Sequence, residues 1–388
     1  MKLIHSKNII LHLSLIPDIG SSTIHRLVKQ IGFENLQDLY HFKQQDLMRC
    51  GLSEKKATLL HDGLQNTALV ETELDAIEQV QAQFITPWCQ QYSSLLQHIE
   101  VPPAVLYYQG DVTLLQSQKM LACVGARKSH SYVQDCLQKI VVPMIQDDWT
   151  IVSGGALGAD AYAHNIALEH GGKTIVVVGS GLYHRYPPSN KALFQKVIDT
   201  GGLIVSSFPV KMEPEARCFP MRNRIISGLS AGTLVLQAAK KSGALITAQF
   251  ALEQGREVFA IPGPIYDPLS DGCHELIKQG AKLVTQTEDI LTELTGYSQK
   301  LSDSVKQQVI HGKMGCDQTN EVQIVSDSHI PEYDEHQRLI LQHTVVAISI
   351  DDLHAKLDID HQLLHDKLFS MSLDGKIEQD CMGLWKRA

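Results

Sequence analysis

TIVSGGALGADAYAHNIALEHGGKTIVVVGSG, residues Thr150 to Gly181, holds two short apolar, β-branched runs, each closed by glycine, around a stretch whose apolar positions repeat at helical spacing. Runs that stay apolar without alternating are buried on both faces, as parallel strands are, and a helix between two of them makes a β-α-β unit. The pattern continues outward. LACVGAR (121–127) precedes it, and GLIVSSF (202–208), GTLVLQAA (232–239) and REVFAIPG (256–263) follow, with helical stretches at 131–148, 190–199, 219–230 and 242–255. Six such strands predict an α/β class, a Rossmann-like doubly wound parallel sheet with its ligand crevice at the carboxyl ends of the strands. GCHELIKQG and AKLVTQ (272–286), then TEDILTELTG (287–296), close this core, which is expected to span 86–297.

The flanks differ. Residues 1–85 carry no strand runs and read as a helical domain, and LSLIPDIGSSTIHRLVKQIG places Pro17 and Gly20 in a turn before a helix. CGLSEKKATLLHDGL (50–64) repeats the rhythm, in the manner of a SAM-type or helix-hairpin-helix module whose hairpin amides touch phosphates; ordinary helical packing accounts for the same pattern. Residues 298–332 lack periodicity and read as a linker. Residues 333–388 then show three short helices and a hairpin, KIEQDCMGLWKRA, which together suggest a winged helix. Its third helix (358–375) has Lys367 against Asp358, Asp360, Asp366 and Asp374, a charge suited to protein contact or regulation rather than to a DNA groove.

The chain has 388 residues and a formal net charge of -9, so coating nucleic acid by bulk charge is excluded and any such binding must be focused. No apolar run is long enough to span a membrane, and no signal peptide is read. The eight cysteines are scattered without a CxxC pair, as expected of reduced thiols in a cytoplasmic protein, and no metal site is expected.

Against that acidic background, Ala216 to Leu252 contains Arg217, Arg222, Arg224, Lys240 and Lys241 and neither Asp nor Glu. Within it, FPMRNRII (219–226) sets Arg222 and Arg224 beside Phe219 and Asn223, a mixture suited to phosphates and to a stacked base. Arg127 and Lys128 follow the first strand of the core, and Lys240 with Lys241 the fifth, so all these cations are expected on one rim of the sheet. Glycine turns at 125–127, at Gly154-Gly155 and at 179–181 would let backbone N–H groups approach a phosphate, and Ser242, Gly243 and Thr247 open the helix after the fifth strand. His184, Arg185 and Tyr186 mark a further loop that could line the crevice.

There is no GxxxxGK[ST], no GxGxxG fingerprint with a ribose-binding acid, no GxSxG and no HExxH, so ATPase, dehydrogenase and hydrolase readings fall away. Asp160 and His164 sit four apart on one helix and read as a first-turn carboxylate and a packing histidine rather than an acid/base pair. No catalytic residue and no cofactor is assigned.

VGARKSHSY, IVSGGALGADAYAH, TIVVVGSGLYHRYPPSN, FPMRNRIISGLS and KKSGALITAQFALEQGREVFAIPG follow the order and spacing of the DNA-processing protein A family (DprA, also Smf), which the chain resembles from about Pro102 to Val284. The resemblance implies a bacterial cytosolic protein that binds single-stranded DNA, forms a homodimer and loads the RecA recombinase in natural transformation, helping to displace single-strand-binding protein. By motif, Arg127, Phe219, Arg222, Asn223, Arg224, Ser242, Gly243 and Thr247 fall on the family's DNA-binding positions. Two departures stand out: the family's Ser-Glu is Ser206-Ser207 here, and a family Glu is Gln237. A nucleotide-processing enzyme of the phosphoribohydrolase type on the same core is the alternative, although AIPGP (260–264) lacks that class's catalytic acid.

Overall fold

The computed structural model describes residues 5–294 and, beyond them, Leu357, Leu368, Met371 and the strands Ile377–Gln379 and Trp385–Arg387. The six expected strands are all present and parallel: β3 (Met120–Gly125), β4 (Thr150–Ser153), β5 (Thr174–Val177), β6 (Leu203–Ser206), β7 (Gly232–Gln237) and β8 (Glu257–Ala260). Three further strands widen the sheet to nine: β1 (Gln83–Ile85), β2 (Leu106–Gly110) and β9 (Lys282–Leu283), in the order β1-β2-β6-β5-β4-β3-β7-β8-β9. β1 lies in the segment read as free of strands. β2 pairs antiparallel with the β6 edge and β1 antiparallel with β2, and a three-residue run such as β1 gives little periodicity to reveal it.

Nearly every residue of the six parallel strands is buried, as their unbroken apolar runs required, and alternate residues feed opposite faces. Ala122, Val152, Val177 and Val205 pack against the helices Cys218–Leu229, Gly243–Glu253 and Asp271–Lys278. On the other face, Leu121, Ile151 and Leu234 meet the helical stretch from Tyr132 to Gln146 and the helix Ala159–Glu169. The rest of that face is covered by the N-terminal helices: Ile9, Leu27, Leu60 and Val70 share one apolar cluster with Tyr107, Val176 and Ile204. The cluster therefore crosses residue 85 without a break. Glu73, buried on the helix Ala68–Gln79, reinforces it by accepting the N–H of Val210 at 2.7 Å.

The turns expected around Pro17 and Gly20 and around residues 50–53 join the helices Ser6–Leu15 to Ser21–Ile31 and Gln44–Arg49 to Glu54–Gln65. The C-terminal strands Ile377–Gln379 and Trp385–Arg387 pair antiparallel as the expected hairpin. The linker at 298–332 lies outside the described residues, as do the three helices expected before the hairpin apart from Leu357, Leu368 and Met371. No helix among the described residues is long and apolar enough to cross a membrane.

Gly158 controls how the helix after β4 meets the loop after β3. Its φ of +73° and ψ of -125° belong to a region only glycine occupies freely, and a Cβ there would lie 2.5 Å from the carbonyl oxygen of Ala126, which already accepts the N–H of Ala159 at 3.1 Å. Gly158→Ala is expected to lower unfolding free energy by about 2 kcal/mol or more, read by urea denaturation, because backbone strain and a backbone clash combine.

Candidate nucleic-acid interface

Winding reverses between β3 and β7, so the loops leaving these two neighbouring strands splay to opposite faces and open a crevice at their carboxyl ends. Its volume is about 560 Å³. The first loop supplies Arg127 and Lys128, both exposed. The start of the Gly243–Glu253 helix supplies Ser242, Gly243 and Thr247, and the Cys218–Leu229 helix supplies Phe219, Arg222 and Asn223.

The cationic and aromatic groups are in register. The guanidinium of Arg127 lies 5.6 Å from the centre of the Phe219 ring and that of Arg222 lies 6.0 Å from it. Phe219 also meets Tyr186 edge-on at 5.7 Å, and its ring packs on Gly179, where a Cβ would come within 2.9 Å. A second hollow, walled by Leu157, Tyr186 and Pro187, continues the crevice past that ring. Leu157 lies within the IVSGGALGADAYAH motif but was not singled out as a crevice residue.

Arg222 is 5 % exposed and forms the floor. Its Nη1 donates to the carbonyl oxygens of Gly154 and Val177, and burial lowers its pKa to about 10, an effect that Asp160 opposes and Arg127 adds to, so it stays charged at neutral pH. Asn223 donates from Nδ2 to the carbonyl of Gly243 at 3.2 Å and so ties the two helices together. Ser242 caps its helix, accepting the N–H of Ala244 at 3.3 Å, and the space around the Cα of Gly243 is open.

Several expected positions stand elsewhere. Gly154 does not offer its amide to a ligand as expected, and neither Gly154 nor Gly155 lines the main crevice. Asp160, itself buried, accepts the N–H of Gly154 at 3.1 Å and of Ala156 at 3.3 Å, while a Cβ on Gly155 would run into Phe194 and Val176 in the core. Lys240 and Lys241 do not line the crevice, and Lys240 lies 3.9 Å from Asp271. Arg224 faces a different cleft, so the cations do not all converge on one rim.

Asp160 and His164 are structural, in line with the sequence reading. Burial pushes the Asp160 carboxyl up in pKa, against the pull of Arg222 and the two loop amides. His164 is fully buried, its Nδ1 is 2.7 Å from Thr174 Oγ1, and burial holds its pKa near 3, too low for a base at neutral pH. Gln237, in the place of the family's Glu, has a local explanation. It accepts the N–H of His130 on Oε1 at 3.2 Å and donates from Nε2 to Asp267 at 3.0 Å, so a carboxylate there would face another carboxylate.

Asp160→Ala is expected to orphan the two loop N–H groups at about 1–3 kcal/mol each, lowering the melting temperature measured by circular dichroism.

A mostly parallel sheet with a cationic, aromatic crevice at its switch point defines a Rossmann-like α/β core. The chain belongs to the family described as DNA recombination-mediator protein A, which it matches over residues 83–295. It is 43 % identical over 204 residues to the DNA processing protein DprA of Bacillus subtilis, covering 53 % of this chain and 68 % of that one. With DprA of Streptococcus pneumoniae it shares 46 % over 198 residues, 51 % of this chain and 69 % of the relative. The X-ray structure of the S. pneumoniae protein superposes with a TM-score of 0.59 at 34 % identity, over 71 % of this chain and 98 % of the other. A Helicobacter pylori DNA processing protein A, whose structure was described for its single-stranded DNA binding mode, matches with a TM-score of 0.50 at 28 % identity, over 55 % and 96 %.

Proposed function

We propose that the crevice binds single-stranded DNA and that the chain acts as a recombination mediator, loading RecA onto incoming strands in natural transformation. The observation that carries this reading is the cluster of Arg127 and Arg222 around the half-buried ring of Phe219. Cations can take the phosphates while the ring takes a base face, which a strand offers freely only when its bases are unpaired. Lys128, Asn223, Ser242, Gly243 and Thr247 complete the site.

The role is binding rather than catalysis. The acid at the crevice floor, Asp160, is committed to two backbone amides, and His164 on the same helix is neutral and fully buried. A protein of this role would work in the cytoplasm, as a homodimer, alongside RecA and single-strand-binding protein. Within it, residues 1–85 would serve as the helical module, 86–297 as the DNA-binding core, 298–332 as the linker and 333–388 as a winged helix for protein contact. Release of free base from a nucleoside monophosphate would instead support the phosphoribohydrolase alternative.

Fluorescence anisotropy with labelled oligo-dT tests the reading. Affinity should fall with salt, and Arg127→Ala should flatten the log–log slope by about 0.7. Phe219→Ala should weaken binding by about 1–3 kcal/mol. Equal affinity for duplex and single strand, or no change in either variant, would overturn it. Arg222→Ala is the poorer probe because that guanidinium also holds two carbonyls of the fold.

A further inference from the structure

The Cys218–Leu229 helix turns a second face to a separate cleft of about 620 Å³ that shares no residue with the first crevice. Its walls come from the start of the Ser21–Ile31 helix, the segment around Ile99 to Tyr107, Ser207 to Pro209, and the end of the Gly243–Glu253 helix. This size falls within the roughly 300–1,000 Å³ usual for small-molecule sites.

Arg224 is the one cation of the cleft and is half-buried. Its Nη1 donates to the carbonyl of Val101, and no carboxylate among the described residues pairs with it. The carboxylates lining the same cleft, Glu100 and Glu253, are exposed and form no ion pair with it. A partly desolvated guanidinium with one neutral partner keeps donors and charge for an anion. The cleft wall also carries the hydroxyls of Ser22, Ser207 and Ser21, the last accepting the N–H of Ala104.

A second polar feature is independent of that charge. Gln254 donates from Nε2 to the carbonyl of Arg224 at 2.9 Å, while its Oε1 is buried without a hydrogen-bond partner. That oxygen is closed to solvent, and the bond from Nε2 holds the main chain at Arg224 in place. Ile24, Ile99, Met221 and Phe250 complete an apolar wall.

We propose that this cleft is a second binding site, for a nucleoside monophosphate unit, with the phosphate at Arg224 and the base against Phe250 and Met221. Such a unit can arrive as a free nucleotide or as part of a strand whose other nucleotides occupy the first crevice. The free-nucleotide form stands without the single-strand reading, and the strand form rests on it.

The test uses the full chain, calorimetry with dTMP and thymidine, and anisotropy with labelled oligo-dT. Ser207→Glu puts a carboxylate into the wall at a residue whose side chain makes no hydrogen bond among the described residues, and Arg224→Ala removes the cation; thermal melts confirm that each variant is folded. For a free nucleotide, dTMP should bind wild type and Arg127→Ala alike, thymidine should bind about tenfold more weakly or worse, and both cleft variants should weaken dTMP by a similar factor. For a strand-borne unit, dTMP is silent and Ser207→Glu weakens oligo-dT further in the Arg127→Ala background. Loss of dTMP binding in Arg127→Ala, or indifference of both ligands to Ser207→Glu, overturns the proposal. If oligo-dT fails to bind at all while dTMP behaves as expected, it is the single-strand reading that falls.

Discussion

A guanidinium buried at the end of a parallel sheet is the constraint around which the rest is arranged. Arg222 is taken out of water, a costly step that it offsets in part through Nη1, which donates to the carbonyls of Gly154 and Val177 at the ends of neighbouring strands, while its Nε is buried without a partner. Asp160 supplies the opposing charge while holding the amides of the loop through which Gly154 passes. A Cβ on Gly154 would come within 2.3 Å of that guanidinium, so the glycine is where the arginine lies rather than a cradle for a ligand. Strand ends, loop and helix are thereby locked together, and the crevice inherits a positive floor that side-chain motion cannot disperse.

The same helix separates two environments. Positions 219, 222, 223 and 226 face the crevice, while 221 and 224 face the cleft under the N-terminal helices. Residues two apart on an α-helix point roughly 200° away from each other, which is why Arg222 and Arg224, separated by Asn223 alone, do not share a pocket. The N-terminal helices matter to this division because they cover the β2-β6-β5 part of one sheet face and form one wall of the second cleft. They are part of the core's packing as well as a module beside it.

Where the chain departs from its family, compensation is local. Gln237 can both accept from His130 and donate to Asp267, a combination that a carboxylate cannot offer, so the amide and Asp267 act as a matched pair. Ser207 lines the cleft around Arg224 with a hydroxyl.

The sequence by itself determined the six parallel strands, the helices between them and the crevice at their carboxyl ends, because glycine-closed apolar runs alternating with helical spacing admit few other arrangements. It also picked out Arg127, Phe219, Arg222 and Asn223, whose clustering is local to one loop and one helix. Tertiary structure alone decided which faces those residues occupy and which groups are already spoken for. That Asp160 consumes the loop amides, that Arg224 looks away, and that β1 and β2 extend the sheet all depend on contacts between segments far apart in the chain. Periodicity along the chain carries information about burial but none about partners brought in from elsewhere.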